Sequence, residues 1–196
     1  LEKHDDALKS FDRASELEPE AALPYQHRAE LYRQKGDLEK AVEQLTKALE
    51  LAPDSVATLL IRSAVYYELK QTDKALADVD KAIQVAPRLA QPYLMRAEIY
   101  AATDRLDDAI AQLEQILQQA PGNVPILSRL GSFYLMAGRP RKAIETLTLV
   151  VDQEPENFNA LRFRADAHLN IGQHAEAAAD FDKALAINGE DESLLN

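Results

Sequence analysis

The sequence predicts an all-α fold, a solenoid of stacked antiparallel helix pairs, on three observations. Proline recurs at Pro19, Pro53, Pro87, Pro121 and Pro155 with a step of 34 residues, and Gly189 stands where the next would fall. Alanine holds one phase of the same step throughout, at Ala7, Ala41, Ala75, Ala109, Ala143 and Ala177. Columns of fixed size run beside it. One is always small (Ala29, Ser63, Ala97, Gly131, Ala165). Two are large and apolar (Phe11, Leu45, Val79, Leu113, Leu147, Phe181, and Tyr25, Leu59, Tyr93, Leu127, Leu161). A period of this length means that one supersecondary unit is repeated and touches only its neighbours. Small residues let two helices approach closely, and large ones fill the space beside them.

Each unit reads as helix, short turn, helix, then a turn at the proline. Helices are expected near 5–18, 23–35, 38–51, 57–70, 73–86, 91–103, 107–119, 125–137, 141–153, 158–171 and 174–187. Pro24, Pro92 and Pro125 fall in first turns, where a missing N–H costs nothing. Asp54 and Ser55, Asn123, and Asn157 are placed to cap the helices that follow them. Gly36, Gly138 and Gly172 fall in the turn between paired helices, where positive φ is expected. Acidic residues at helix starts (Asp73, Asp107, Asp108) and lysines in later turns (Lys47, Lys81) suit the helix dipole. Helices this short are marginal alone in water, so stacking must supply the stability.

Residues 90–123 carry Tyr93, Ala97, Tyr100, Ala109, Leu113 and Pro121, and residues 22–55 carry Tyr25, Ala29, Tyr32, Gly36, Ala41, Leu45, Ala48 and Pro53. In this pattern the chain resembles the tetratricopeptide repeat family over essentially its whole length. It departs from the pattern in lacking Trp, in Ile116 and Val150 where small residues are usual, and in His168 where Tyr32, Tyr66, Tyr100 and Tyr134 stand in other units. The resemblance implies a right-handed α-solenoid, a superhelix formed by a single array over 1–196. That array comprises a half repeat at 1–21, full repeats at 22–55, 56–89, 90–123, 124–157 and 158–191, and the start of a further repeat at 192–196. Because the array starts and stops inside units, it is expected to be a segment of a longer protein.

Another column holds Arg28, Arg62, Arg96 and Arg164, with Leu130 as the exception. The column 16 residues later reads Gln44, Asp78, Gln112 and Asp180, with Thr146 opposite the leucine. An arginine on each first helix is therefore expected to reach an acceptor on the second, its stem packed in the interface.

The formal net charge of -11 argues against nucleic acid or an anionic membrane surface as the main partner. No apolar run approaches the ~20 residues of a membrane span. The absence of Cys removes disulfides and thiol chemistry and fits either redox compartment, with the cytoplasm slightly favoured. His4, His27, His168 and His174 lack metal-ligand spacing, the six glycines form no phosphate loop, and no Ser stands in a set with His and acid. No catalytic residue, metal site or cofactor is expected, and the segment reads as a non-enzyme.

What remains is surface. The resemblance implies that first helices line a concave wall that holds an extended peptide or a helix of another protein. The candidate binding residues on it are Arg33, Leu60, Ile61, Tyr67, Leu94, Met95, Glu98, Arg129 and Arg162, apolar in the middle and charged at the edges. The family's carboxylate clamp for acidic chaperone tails needs Lys and Asn at positions that here read Gln26, Glu30 and Ile61, or Leu60, Ala64 and Met95, so no such clamp is expected. Two other functions stay open: a spacer or self-assembling array joined end to end, and a substrate-holding module of an enzyme whose catalytic domain lies elsewhere.

Overall fold

The computed structural model describes Ser10, Phe11, Arg13 and residues 17–193, with side chains as far as Ile187. Among the described residues, ten helices have defined bounds and there is no strand. The helix expected near 5–18 lies largely outside the described residues, of which Ser10, Phe11, Arg13 and Leu17 are helical.

The chain forms two compact units, residues 1–99 and 100–196. In the first, α1 (Leu23–Lys35) packs on α2 (Leu38–Leu51), α2 on α3 (Val56–Glu68), and α3 on α4 (Thr72–Val85), while α5 (Ala90–Ala101) begins the next repeat. In the second, α6 (Leu106–Leu117), α7 (Val124–Met136), α8 (Pro140–Gln153), α9 (Phe158–Asn170) and α10 (His174–Ser193) pack in chain order, and α7 also touches α9. Each unit is a line of helix pairs of the α-solenoid class. Bounds agree with expectation to a few residues, apart from α10. That helix was expected to stop at 187 and runs to Ser193. The reason is local: Gly189 replaces the recurring proline, so the backbone N–H that proline lacks is present and the helical ladder continues.

Local chemistry accounts for the element ends. Ser55, Asn123 and Asn157 adopt extended φ/ψ, and each accepts a hydrogen bond from the backbone N–H three residues on. The second helices α2, α4, α6 and α8 have no such side-chain cap. Pro24 and Pro125 sit in the first turns of α1 and α7. Positive φ occurs at Gly36, Lys70, Asp104, Gly138 and Gly172, one column of the 34-residue step. Every described helix pair therefore turns through the same left-handed residue, whether or not it is glycine.

The core is the set of columns read from the sequence. Ala41, Ala75, Ala109, Ala143 and Ala177 are fully buried, as are Leu45, Val79, Leu113 and Leu147. In the small companion column Gly131 leaves no room even for a Cβ, which would lie 2.5 Å from Leu147 Cγ.

At Arg62 and Arg164 the arginine column ties three helices together, whereas Gln44 Oε1, the expected acceptor for Arg28, is buried without a hydrogen-bond partner. Arg62 donates to both Asp78 carboxylate oxygens at 2.8 and 2.7 Å, and Arg164 to both of Asp180 at 2.7 Å. Each also reaches back 16 residues, Arg62 to Thr46 Oγ1 at 3.1 Å and Arg164 to Thr148 Oγ1 at 3.2 Å. Arg96 makes the same backward reach, to Asp80 at 2.6 Å. Where Leu130 replaces the arginine, Glu114 at the backward position accepts a hydrogen bond from the Tyr134 hydroxyl and lies 3.5 Å from Lys142 Nζ. Burial, then the bond to this carboxylate, raises the Tyr134 hydroxyl above its ordinary pKa.

Candidate functional site

In the first unit, three successive first helices enclose a cleft of about 320 Å³. Glu30 and Arg33 come from α1, Ala57, Leu60, Ile61 and Ala64 from α3, and Gln91 and Met95 from α5. Residues three and four apart share a helix face, which is why 57, 60, 61 and 64 line one wall and 91 and 95 another. The 34-residue step then superposes Ala57 on Gln91, Ile61 on Met95 and Glu30 on Ala64.

The floor is apolar and firmly held. Leu60 is only 4% exposed and belongs to the core cluster of Leu49, Leu59, Ala75, Val79, Ala82 and Ile99. Tyr67 and Met95 pack against that cluster from its edge. Ile61 is 37% exposed and is the accessible apolar surface of α3 in the cleft.

The polar edge is an ion-pair network. Arg33 donates from Nε to Glu68 Oε1 at 2.8 Å, its Nη2 lies 2.7 Å from the same oxygen, and its Nη1 lies 3.6 Å from Glu30 Oε2. Glu30 Oε1 accepts from Gln34 Nε2 at 3.0 Å. The hydrogen bond to Glu68 raises the Arg33 guanidinium above its ordinary pKa, against the smaller opposing effect of burial.

Of the expected binding residues, Arg33, Leu60, Ile61 and Met95 meet at this cleft. Tyr67, Leu94 and Glu98 are half-buried on the same helices outside its lining, with Lys70 Nζ 5.7 Å from the Tyr67 ring centre. Arg129 and Arg162 belong to the second unit, both exposed, with guanidinium carbons 5.7 Å from the Phe133 ring centre and 4.4 Å from that of Phe163. Sequence reasoning missed Ala57 and Gln91. The signal was available: they stand four residues before Ile61 and Met95 and share one column of the step. Among the described residues, no group of three or more His, Cys, Asp or Glu could hold a metal ion, and no helix is long and apolar enough to cross a membrane.

These repeated helix pairs, with their alanine and proline columns, define a tetratricopeptide repeat array. Sequence patterns described as Tetratricopeptide repeat match residues 23–55, 63–124, 102–167 and 163–191, and the chain belongs to this family. No curated protein matches it. Among solved structures it is similar to MamA from Desulfovibrio magneticus, with 19% identity over 86% of this chain and 96% of that one and a TM-score of 0.68. It is also similar to YrrB, described as a TPR protein with an unusual peptide-binding site, with 20% identity over 92% and 93% and a TM-score of 0.61. A tetratricopeptide repeat protein from Parabacteroides merdae shares 23% identity over 94% of this chain and 72% of that one, with a TM-score of 0.67. At these identities the likeness establishes the fold.

Proposed function

We propose that the chain is a non-catalytic scaffold that holds a segment of another protein in the cleft of its first unit. The observation that carries this reading is the cleft itself. Three first helices converge on an accessible apolar surface at Ile61 and Met95, over a floor at Leu60 that the core keeps rigid. Rigid apolar surface with a polar edge is the form of a protein-recognition site. Tyr67, Leu94 and Glu98 extend the contact along the same helices, and Arg129 and Arg162 are candidate polar contacts of the second unit taken by itself. The acidity of the chain speaks against nucleic acid as the partner. YrrB, by its description a peptide-binding tetratricopeptide repeat protein, lends the reading support by analogy of fold.

The test is a selection of linear peptides against the immobilised protein, followed by affinity measurement with Ile61→Glu and Met95→Glu. Leu60 is unsuited to this purpose, because a charge at a buried site unfolds its surroundings. Selected peptides should lose about tenfold or more in affinity, roughly 1.4 kcal/mol, while circular dichroism stays unchanged. Peptides indifferent to both changes would place recognition elsewhere.

A second reading, an array that continues by further repeats or by self-association, is favoured by Leu185. Its column equivalents Leu49 and Val151 are 8% exposed and Ile83 and Leu117 half-buried, yet Leu185 is 67% exposed. Sedimentation that shows a dimer abolished by Leu185→Asp would support self-association, and a monomer at all concentrations would oppose it.

A further inference from the structure

We infer that the partner segment is cationic: an aliphatic anchor flanked by Lys or Arg. This deepens the reading of the cleft and rests on it. Arg33, the cation among the described residues that line the cleft, already serves two carboxylates. Its Nε and Nη2 both serve Glu68, and its Nη1 faces Glu30. Two carboxylates share one guanidinium, so this three-residue network carries one excess negative charge. Gln34, which donates to Glu30, is neutral and does not alter that balance. An acidic partner could reach only the donors that Arg33 leaves beyond its two contacts with Glu68, and would face two carboxylates that share that one guanidinium. A basic partner leaves the network intact and completes it at Glu30, whose carboxylate has acceptor capacity beyond a single bond to Gln34. The chain's net charge of -11 attracts the same sign of partner at long range. The cleft volume of about 320 Å³ lies at the small end of binding pockets (~300–1,000 Å³) and suits a short aliphatic anchor.

The test uses three fluorescent peptides with one aliphatic core, flanked by Lys, by Gln or by Glu, and read by anisotropy against the full chain. The Lys peptide is expected to bind about tenfold tighter than the Gln peptide at low salt, the advantage shrinking as salt is added. The Glu peptide is expected to bind weakest. Glu30→Gln removes most of the Lys advantage. Arg33→Gln increases it, because it frees Glu68; a guanidinium that contacted the partner directly would give the opposite sign. Glu30→Gln and Arg33→Gln lie on the polar edge and Ile61→Glu at the accessible apolar surface of the cleft, and a thermal melt checks that each variant is folded. If all three peptides bind equally and all lose affinity in Ile61→Glu, the cleft reading survives and the cationic partner is overturned. If the Glu peptide binds tightest, or Arg33→Gln weakens the Lys peptide, the inference is likewise overturned. If no peptide binds, both readings fall.

Discussion

Single atoms decide several positions. At Gly131 two effects oppose each other. Alanine is worth up to ~1 kcal/mol over glycine inside a helix, but its Cβ would sit 2.5 Å from Leu147 Cγ and 2.6 Å from Cδ2. Leu147 is fully buried and has no room to step aside, and overpacking costs ~1–3 kcal/mol. Gly131→Ala should therefore destabilise by about 1–2 kcal/mol, read as a lower urea midpoint with an unchanged slope. Lys70 presents the reverse case. It occupies the left-handed turn at φ 61, where three of its column equivalents are glycine. Left-handed backbone costs a residue with Cβ ~1–2 kcal/mol, and glycine recovers part of that while losing more entropy on folding. Lys70→Gly should gain about 0.5–1 kcal/mol. Asp104→Gly should gain less, because a short polar side chain tolerates this conformation.

At the scale of the helix pair, the arginine column explains how successive hairpins are locked. Arg62 and Asp78 are side chains at 18% and 9% exposure in a two-pronged contact, with Thr46 as a third tie. Removing either charge strands the other in a partly dry site, so Arg62→Ala or Asp78→Ala alone should cost about 3 kcal/mol. The double mutant should cost less than the sum, with a coupling of about 1.5–3 kcal/mol. An additive double mutant would reduce the pair to two independent packing contacts. The forward half of this lock was legible in the sequence, because Arg62 with Asp78 and Arg164 with Asp180 repeat one spacing. The backward half was not: Thr46, Asp80 and Thr148 share a column of mixed residue type, and only packing shows that each faces an arginine. The helix bounds were legible wherever proline or a capping residue marks them, and α10 overran its expected end where Gly189 supplies no stop. In the cleft, Leu60, Ile61 and Met95 were legible as a periodic face. The pairing of Arg33 with Glu68 was not, since it joins neighbouring repeats one residue out of register with the 34-residue step.

At the scale of the whole molecule, charge is expected to act on stability and on the proposed recognition with opposite responses to salt. A net charge of -11 on 196 residues repels itself, and screening relieves that repulsion. Screening also weakens exposed pairs such as Lys40 with Asp37, Lys47 with Glu43 and Arg139 with Asp107. Each of these is exposed to solvent and contributes little, and the shielded Arg62–Asp78 and Arg164–Asp180 pairs are screened far less. Relief of repulsion should win, so the melting temperature should rise as sodium chloride increases, and a fall would mean that surface pairs carry more stability than their exposure suggests. The same salt should weaken a Lys-flanked peptide at the Glu30 edge, because that attraction is between opposite charges near solvent. Measured together, the two trends separate causes: affinity lost while the fold grows firmer cannot come from unfolding and must come from screened attraction at the cleft.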